Sequence, residues 1–291
     1  MNERLVVCLT SAEQEYQALM GEDARAVAAR LLASVEVVFA EDNAVQQIQQ
    51  VFRGIHAREA ERPTAFLIHT RVPDGLSRVA RNAVNAGIGW ILLNRTAPYL
   101  EPLRAEHAEL AIAAITTDHA EIGRIQAQQL EKLAPEARRV LYLQGPAETA
   151  AARQRLEGFE ESVRGRGYEL RIVNAEFTEA GADRAVTGWL RLKAAARFLP
   201  QVVVCQSDNM ARGARRALEL LRPEWSRLPF FGCDGLPGGG RRDVDEGRLA
   251  ATVALPSCAG PAIELALRWK RSGFLPPAET VLAPAPYPAL W

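Results

Sequence analysis

The chain has 291 residues, room for about two domains at roughly 150 residues each. Hydrophobic residues make up 48% and charged residues 24%, which excludes a disordered chain, a collagen-like chain and a small disulfide-stapled scaffold. The 35 Lys and Arg residues balance 35 Asp and Glu residues, so the basic excess of a general nucleic-acid binder is missing.

Short apolar runs alternate with longer amphipathic ones. Leu5–Leu9 reads as a buried strand, and Glu13–Leu32 as a helix with Leu19, Ala26, Val27 and Ala29 at helical spacing. Val35–Phe39 is strand-like, Asn43–Ile55 helical, Thr64–His69 a strand, and Gly75–Ala86 a helix stopped by Gly87. Trp90–Leu93 and Leu110–Ile115 are the next strands. The pattern then restarts. Asp118 caps a helix reaching about Leu133, and Val140–Gln144 is a strand. Thr149–Arg164, Ala182–Phe198 and Asp208–Leu221 read as helices, with strands at Leu170–Val173, Val202–Gln206 and Phe230–Gly232. A short helix near Gly239–Glu246 precedes a strand at Leu249–Leu255. Ser257–Arg271 is a helix, Thr280–Leu282 a last short strand, and Pro284–Pro288 a proline-rich tail.

Strands alternating with helices predict an α/β fold of parallel sheets covered on both faces. Two doubly wound lobes joined by about three hinge crossings are expected, with an eight-stranded barrel as the structural rival. The junctions fall near Thr116-Thr117, Pro256 and Pro276-Pro277. They assign 1–116 plus 257–277 to one lobe and 117–256 plus 278–291 to the other, with a ligand cleft between them.

Cys8, Cys205, Cys233 and Cys258 show no metal spacing and read as small buried hydrophobes. Five apolar residues after Arg4 are too few for a secretory signal, so the chain as written reads as soluble and not exported.

Ligands of open parallel sheets sit beyond the carboxyl ends of the strands. Those positions hold Thr10-Ser11, His69-Thr70, Asn94-Arg95, Gln144, Gln206-Ser207-Asp208 and Cys233-Asp234-Gly235. Amide, hydroxyl, guanidinium and carboxylate groups together suit a polyol, each of whose hydroxyls both donates and accepts. Asp208 reads as an N-cap before Met210, and His69 as a core or rim residue. No nucleophile elbow, phosphate loop or dinucleotide fingerprint occurs. Gly238-Gly239-Gly240 reads as a loop, and Ser207-Asp208-Asn209 lacks the lysine motifs that accompany it in β-lactamases.

Several strings resemble the type I periplasmic sugar-binding proteins of the ribose-binding kind. They are WILLNRT (Trp90–Thr96), AAITTDHAEIG (Ala113–Gly123), VLYLQGPAETAAARQRLEGFEESV (Val140–Val163), VVVCQSDNMARGARRAL (Val202–Leu218) and FFGCDGLPGGGRRDVDEGRLAATVALP (Phe230–Pro256). The resemblance runs in order over nearly the whole chain. The same core forms the effector domain of lactose-repressor-type regulators.

The resemblance implies a clamp that closes on a monosaccharide or derivative, without a cofactor or metal and without enzymatic activity. It places ligand contacts at Tyr16, Gln17, Asn94, Arg95, Arg155 (Arg153 is the second choice), Phe177, Ser207 and Asp234. Tyr16 and Phe177 would sandwich a sugar ring. Gln17 stands where a stacking aromatic is usual, Asn94 for an aspartate, Ser207 for an asparagine and Leu255 for a glutamine. The implied partners are a small-molecule ligand and a membrane permease or sensor, with no direct nucleic acid and a monomeric state. The resemblance implies the periplasm if a signal peptide was removed; the chain as written implies the cytoplasm. The alternatives are the effector core of a transcription regulator without its DNA-binding domain and, behind it, an α/β enzyme.

Overall fold

A computed structural model describes residues 3–70, 73–192 and 197–290. The chain starts with β1 (Arg4–Leu9), α1 (Glu15–Arg30), β2 (Ser34–Phe39), α2 (Ala44–Ile55), β3 (Ala65–Ile68), α3 (Ser77–Asn85), β4 (Gly89–Leu93), α4 (Leu100–Glu106) and β5 (Ile112–Thr117). There follow α5 (His119–Leu133), β6 (Arg139–Gln144), α6 (Ala150–Val163), β7 (Glu169–Asn174), α7 (Glu179–Leu190), β8 (Val202–Cys205) and α8 (Asp208–Leu221). The last elements are β9 (Phe230–Phe231), α9 (Arg242–Asp245), β10 (Thr252–Ala254), α10 (Ala259–Ser272), β11 (Glu279–Leu282) and β12 (Ala285–Tyr287).

Two compact units result. The first comprises Met1–Thr117 and Pro256–Leu282, the second Asp118–Leu255 and Ala283–Trp291. The first holds a parallel sheet in the order β11-β5-β4-β3-β1-β2, with α1 and α10 packed together on one side and α2 and α3 on the other. The second holds a parallel sheet β7-β6-β8-β9, with α5 against α6 and α7 against α8. Two separate sheets exclude the barrel.

The helices follow from spacing and caps. On α1 the buried positions Tyr16, Met20, Ala24 and Ala28 recur every four residues and form one stripe. Asn43, Asp118, Thr149 and Thr178 each accept a backbone N–H in the first turn of the helix that follows. The inner strands β1, β3 and β8 are almost wholly apolar because helices cover both faces of the sheets there. In the first unit Phe66 meets Trp90 edge-on, and in the second Tyr142 packs against Phe159. All four cysteines are buried free thiols; burial pushes the Cys8 thiol up to about 12.

Four expectations need correction. Residues 278–282 belong to the first unit, because β11 pairs with β5 there. Pro284–Pro288 is not merely a tail, since β12 within it pairs antiparallel with β10. The helix expected over Ala182–Phe198 is α7, which ends at Leu190; residues 193–196 lie outside the described ones. Asp208 is not the cap of α8: Ser207 is, its hydroxyl accepting the Met210 N–H at 3.1 Å. Among the described residues no helix is long and apolar enough to cross a membrane.

Candidate functional site

Strand order reverses beside β1 in the first unit and beside β6 in the second, the points beyond whose strand ends doubly wound sheets bind ligands. The expected contacts sort between these two places.

In the first unit, β1 runs out at Thr10-Ser11 and α1 starts five residues on. Gln17 holds this turn: its Oε1 accepts from Thr10 N at 2.7 Å and from Ser11 N at 3.2 Å, and its Nε2 donates to Thr10 Oγ1 at 2.8 Å. Its side-chain amide is committed to the chain itself, so the structure gives Gln17 a scaffolding role. Tyr16 is buried, and its hydroxyl donates to Pro256 O at 2.9 Å, beside Cys258 Sγ at 3.5 Å. That bond ties Tyr16 to the segment that enters α10.

Asn94 and Arg95 follow β4. Asn94 takes a left-handed φ of 54°, a region asparagine tolerates better than most residues. The turn it makes folds Arg95 back, whose Nη1 donates to Asn94 O at 2.7 Å. Among the described residues the buried Asn94 Oδ1 has no hydrogen-bond partner, nor has the buried His69 Nδ1 at the end of β3. Burial, helped by the positive charge of Arg95, holds His69 well below the ordinary histidine range and so neutral. A buried amide oxygen and a neutral imidazole beside a guanidinium are suited to a ligand hydroxyl, which both donates and accepts.

In the second unit Gln206, at the end of β8, ties three elements. Its Oε1 accepts from Gly145 N at 3.0 Å, and its Nε2 donates to Tyr142 Oη at 3.0 Å and Ala152 O at 2.9 Å. Its carbonyl accepts from Arg155 Nη1, on α6. The Arg155 guanidinium also lies over the half-buried Phe177 ring, 5.7 Å from its centre. Arg155 is 4% exposed, yet among the described residues its Nε has no acceptor. A buried guanidinium fixed at two points, with a donor left over, is an incomplete site.

Asp234 ends the β9 run with a φ of 108°, a strained conformation for a residue with a Cβ. Its N–H donates to Val253 O, and its carbonyl accepts from Leu255 N, both at 3.0 Å. The following Gly235 packs so closely on β10 that a Cβ there would lie 2.5 Å from Ala254 Cα. From the other side the buried Asp208 carboxyl accepts from Gly235 N at 2.8 Å and Thr252 Oγ1 at 2.7 Å. The strand-end pattern put Asp208 on the list of polar residues but read it as a cap.

The structure therefore groups Asn94, Arg95 and His69 in one unit, and Arg155 and Phe177 with Gln206 in the other, where Asp234 ends a neighbouring strand run. The side chains of Gln17, Tyr16 and Ser207 each hydrogen-bond to backbone groups.

Two α/β units with polar strand ends, joined where the chain passes from one to the other, are the form of a periplasmic solute-binding fold. The model of the periplasmic binding protein domain matches residues 5–256, and the chain belongs to that family. It is 31% identical over 196 residues to the ribose import binding protein of Escherichia coli (strain K12), covering 67% of this chain and 61% of that protein's length. The match to that relative thus spans about three fifths of it. Among solved structures, a Caulobacter myo-inositol binding protein bound to myo-inositol superposes with a TM-score of 0.81 at 19% identity, covering 98% of this chain and 92% of that one. A solute-binding protein from Actinobacillus succinogenes 130z with bound D-allose gives a TM-score of 0.81 at 22% identity, covering 98% and 97%. At such identities these structures establish a common fold.

Proposed function

We propose that this protein binds a small polyhydroxylated solute, a monosaccharide or close derivative, and delivers it unchanged to a membrane permease or sensor. The candidate contacts are Asn94 and Arg95 in one unit and Arg155, Phe177 and Asp234 in the other. The observation that carries the reading is Arg155: a buried guanidinium with an unfilled donor, held against an aromatic ring. A sugar offers both an acceptor hydroxyl and an apolar C–H face to such a pair. The names of the relatives support the choice of solute, since they include a ribose import binding protein and a galactofuranose-binding protein. The name of the matching family supports a periplasmic location, and the description of the Actinobacillus succinogenes protein as an ABC transporter solute-binding protein supports an ABC-type import partner.

A thermal-shift screen tests this. A ligand that binds the native state stabilises it by RT ln(1+[L]/Kd), about 2.7 kcal/mol at a hundredfold excess over Kd. At least one of D-ribose, D-allose, L-arabinose and myo-inositol should raise the melting temperature and be recovered unchanged. A response to amino acids or nucleotides with none to carbohydrates would overturn the reading.

A further inference from the structure

Three features of the second unit converge on one carboxyl group. The sequence has glycines at 232, 235 and 240, and each is close to Asp208. A Cβ on Gly232 would lie 2.0 Å from Asp208 Oδ1, and one on Gly240 1.9 Å from Oδ2. Gly235 donates its N–H to Oδ2. Gly240, the last residue of the glycine run, thus has a structural reason: it leaves room for the head of Asp208. The Asp208 N–H also donates to Cys233 O, so the same residue holds the backbone on both sides of Asp234. Its other oxygen reaches Thr252 on β10, the strand whose neighbouring residues bond both backbone groups of Asp234.

We infer that Asp208 is the positioning residue for Asp234: its carboxyl clamps the 232–240 loop to β10, holds Asp234 in its strained conformation, and takes up a proton when a ligand covers Asp234. The inference rests on the binding reading above.

The proton follows from the surroundings. Two carboxyl groups close together in a water-poor site resist ionising together. Burial raises the Asp208 carboxyl well above its ordinary value, and the charge of Asp234 adds to this. The hydrogen bonds from Thr252 and Gly235 and the Arg212 guanidinium oppose the rise without cancelling it. Arg212 is itself paired with Asp243 at 2.7 Å. Other charged or titratable groups nearby are Arg241, which donates to Gly235 O at 2.9 Å, Arg155, whose charge acts on Cys233, and the Cys205 and Cys233 thiols, which burial keeps protonated. A ligand that removes water from Asp234 strengthens the repulsion between the carboxylates. The buried partner then yields by protonating.

Calorimetric titration in buffers of different ionisation enthalpy reads proton uptake directly. The probe is whichever of D-ribose, D-allose, L-arabinose and myo-inositol gives the largest thermal shift. Wild type should take up a measurable fraction of a proton on binding. Asp208→Ala should bind at least tenfold more weakly, because Gly235 loses its acceptor. Asp208→Asn should recover most of the affinity, since its amide can accept from Gly235 and donate to Thr252. It should bind with no proton uptake, an effect that loss of structure alone does not produce. Wild type that binds without proton uptake, or Asp208→Asn with wild-type uptake, overturns the inference and leaves the binding reading standing. Should none of the four probes bind wild type, the binding reading fails and this inference falls with it.

Discussion

The guanidinium carbon of Arg155 stands 5.7 Å from the centre of the Phe177 ring, and that ring lies so close to Gly145 that a Cβ there would come within 2.2 Å of it. A backbone position at the end of β6 therefore sets the place of the ring, and the ring helps to set the guanidinium. Arg155→Ala should weaken sugar affinity ten- to a hundredfold, since a hydrogen bond to a charged group contributes about 1.5–3 kcal/mol. Arg155→Lys should recover little of it, because an ammonium cannot reproduce the planar fork. Isothermal titration checks both.

Gly145→Ala tests the same relationship from beneath. The added methyl displaces the Phe177 ring and should lower affinity about tenfold. The melting temperature should fall only modestly, because Phe177 is half-buried and can move outward. Equal affinity in Gly145→Ala and wild type would show that the ring position does not matter for binding.

Asp234 separates stability from affinity. Alanine there keeps the strained φ of 108°, whereas glycine accepts it. Asp234→Gly should therefore melt above Asp234→Ala, by about 1 kcal/mol in unfolding free energy. Both should lose at least tenfold in affinity. Denaturant melts paired with titration distinguish the two effects.

His69 supplies a pH dependence. Its folded pKa lies well below the ordinary 6.5, so below about pH 6.5 the unfolded chain binds a proton that the folded chain refuses. Its contribution to stability is fully present above 6.5 and declines as pH falls, by up to about 1.4 kcal/mol per pH unit. His69→Asn should abolish that contribution. The stability difference between wild type and variant should then change by about 1–2 kcal/mol from pH 7 to pH 5.

Gln17→Ala should act on stability. It leaves the buried Thr10 and Ser11 N–H groups without their acceptor, at a cost of about 2–4 kcal/mol. A chemical melt with an unchanged midpoint would contradict the scaffolding role.

The strands were legible because burial on both faces leaves a run such as Val202–Cys205 no other reading. The ends of those strands were legible as places that hold Asn94, Arg95 and Asp234, whereas Arg155, on α6, was singled out by the family resemblance alone. Roles were harder to read. Gln17 and Gln206 carry amides that serve a ligand or a backbone equally well, and only the fold shows which N–H groups lie within reach. Ser207 and Asp208 are both good capping residues, so a shift of one position decided which hydroxyl or carboxyl faces inward. β12 escaped notice because Pro284, Pro286 and Pro288 lack the N–H donors by which a strand is usually recognised. Pairing along one edge tolerates that loss.

The pairing of β12 with β10 joins the carboxyl end of the chain to the binding chemistry. β10 supplies Thr252 to the Asp208 carboxyl, and β12 borders it from Ala285 to Tyr287, where the phenol is anchored to Asp245 at 2.7 Å. An affinity tag or fluorescent reporter fused directly behind Tyr287 would therefore pull on the strand that backs Asp234, whereas a spacer of flexible residues would isolate it. Immobilisation chemistry for any biosensor made from this protein belongs on another face.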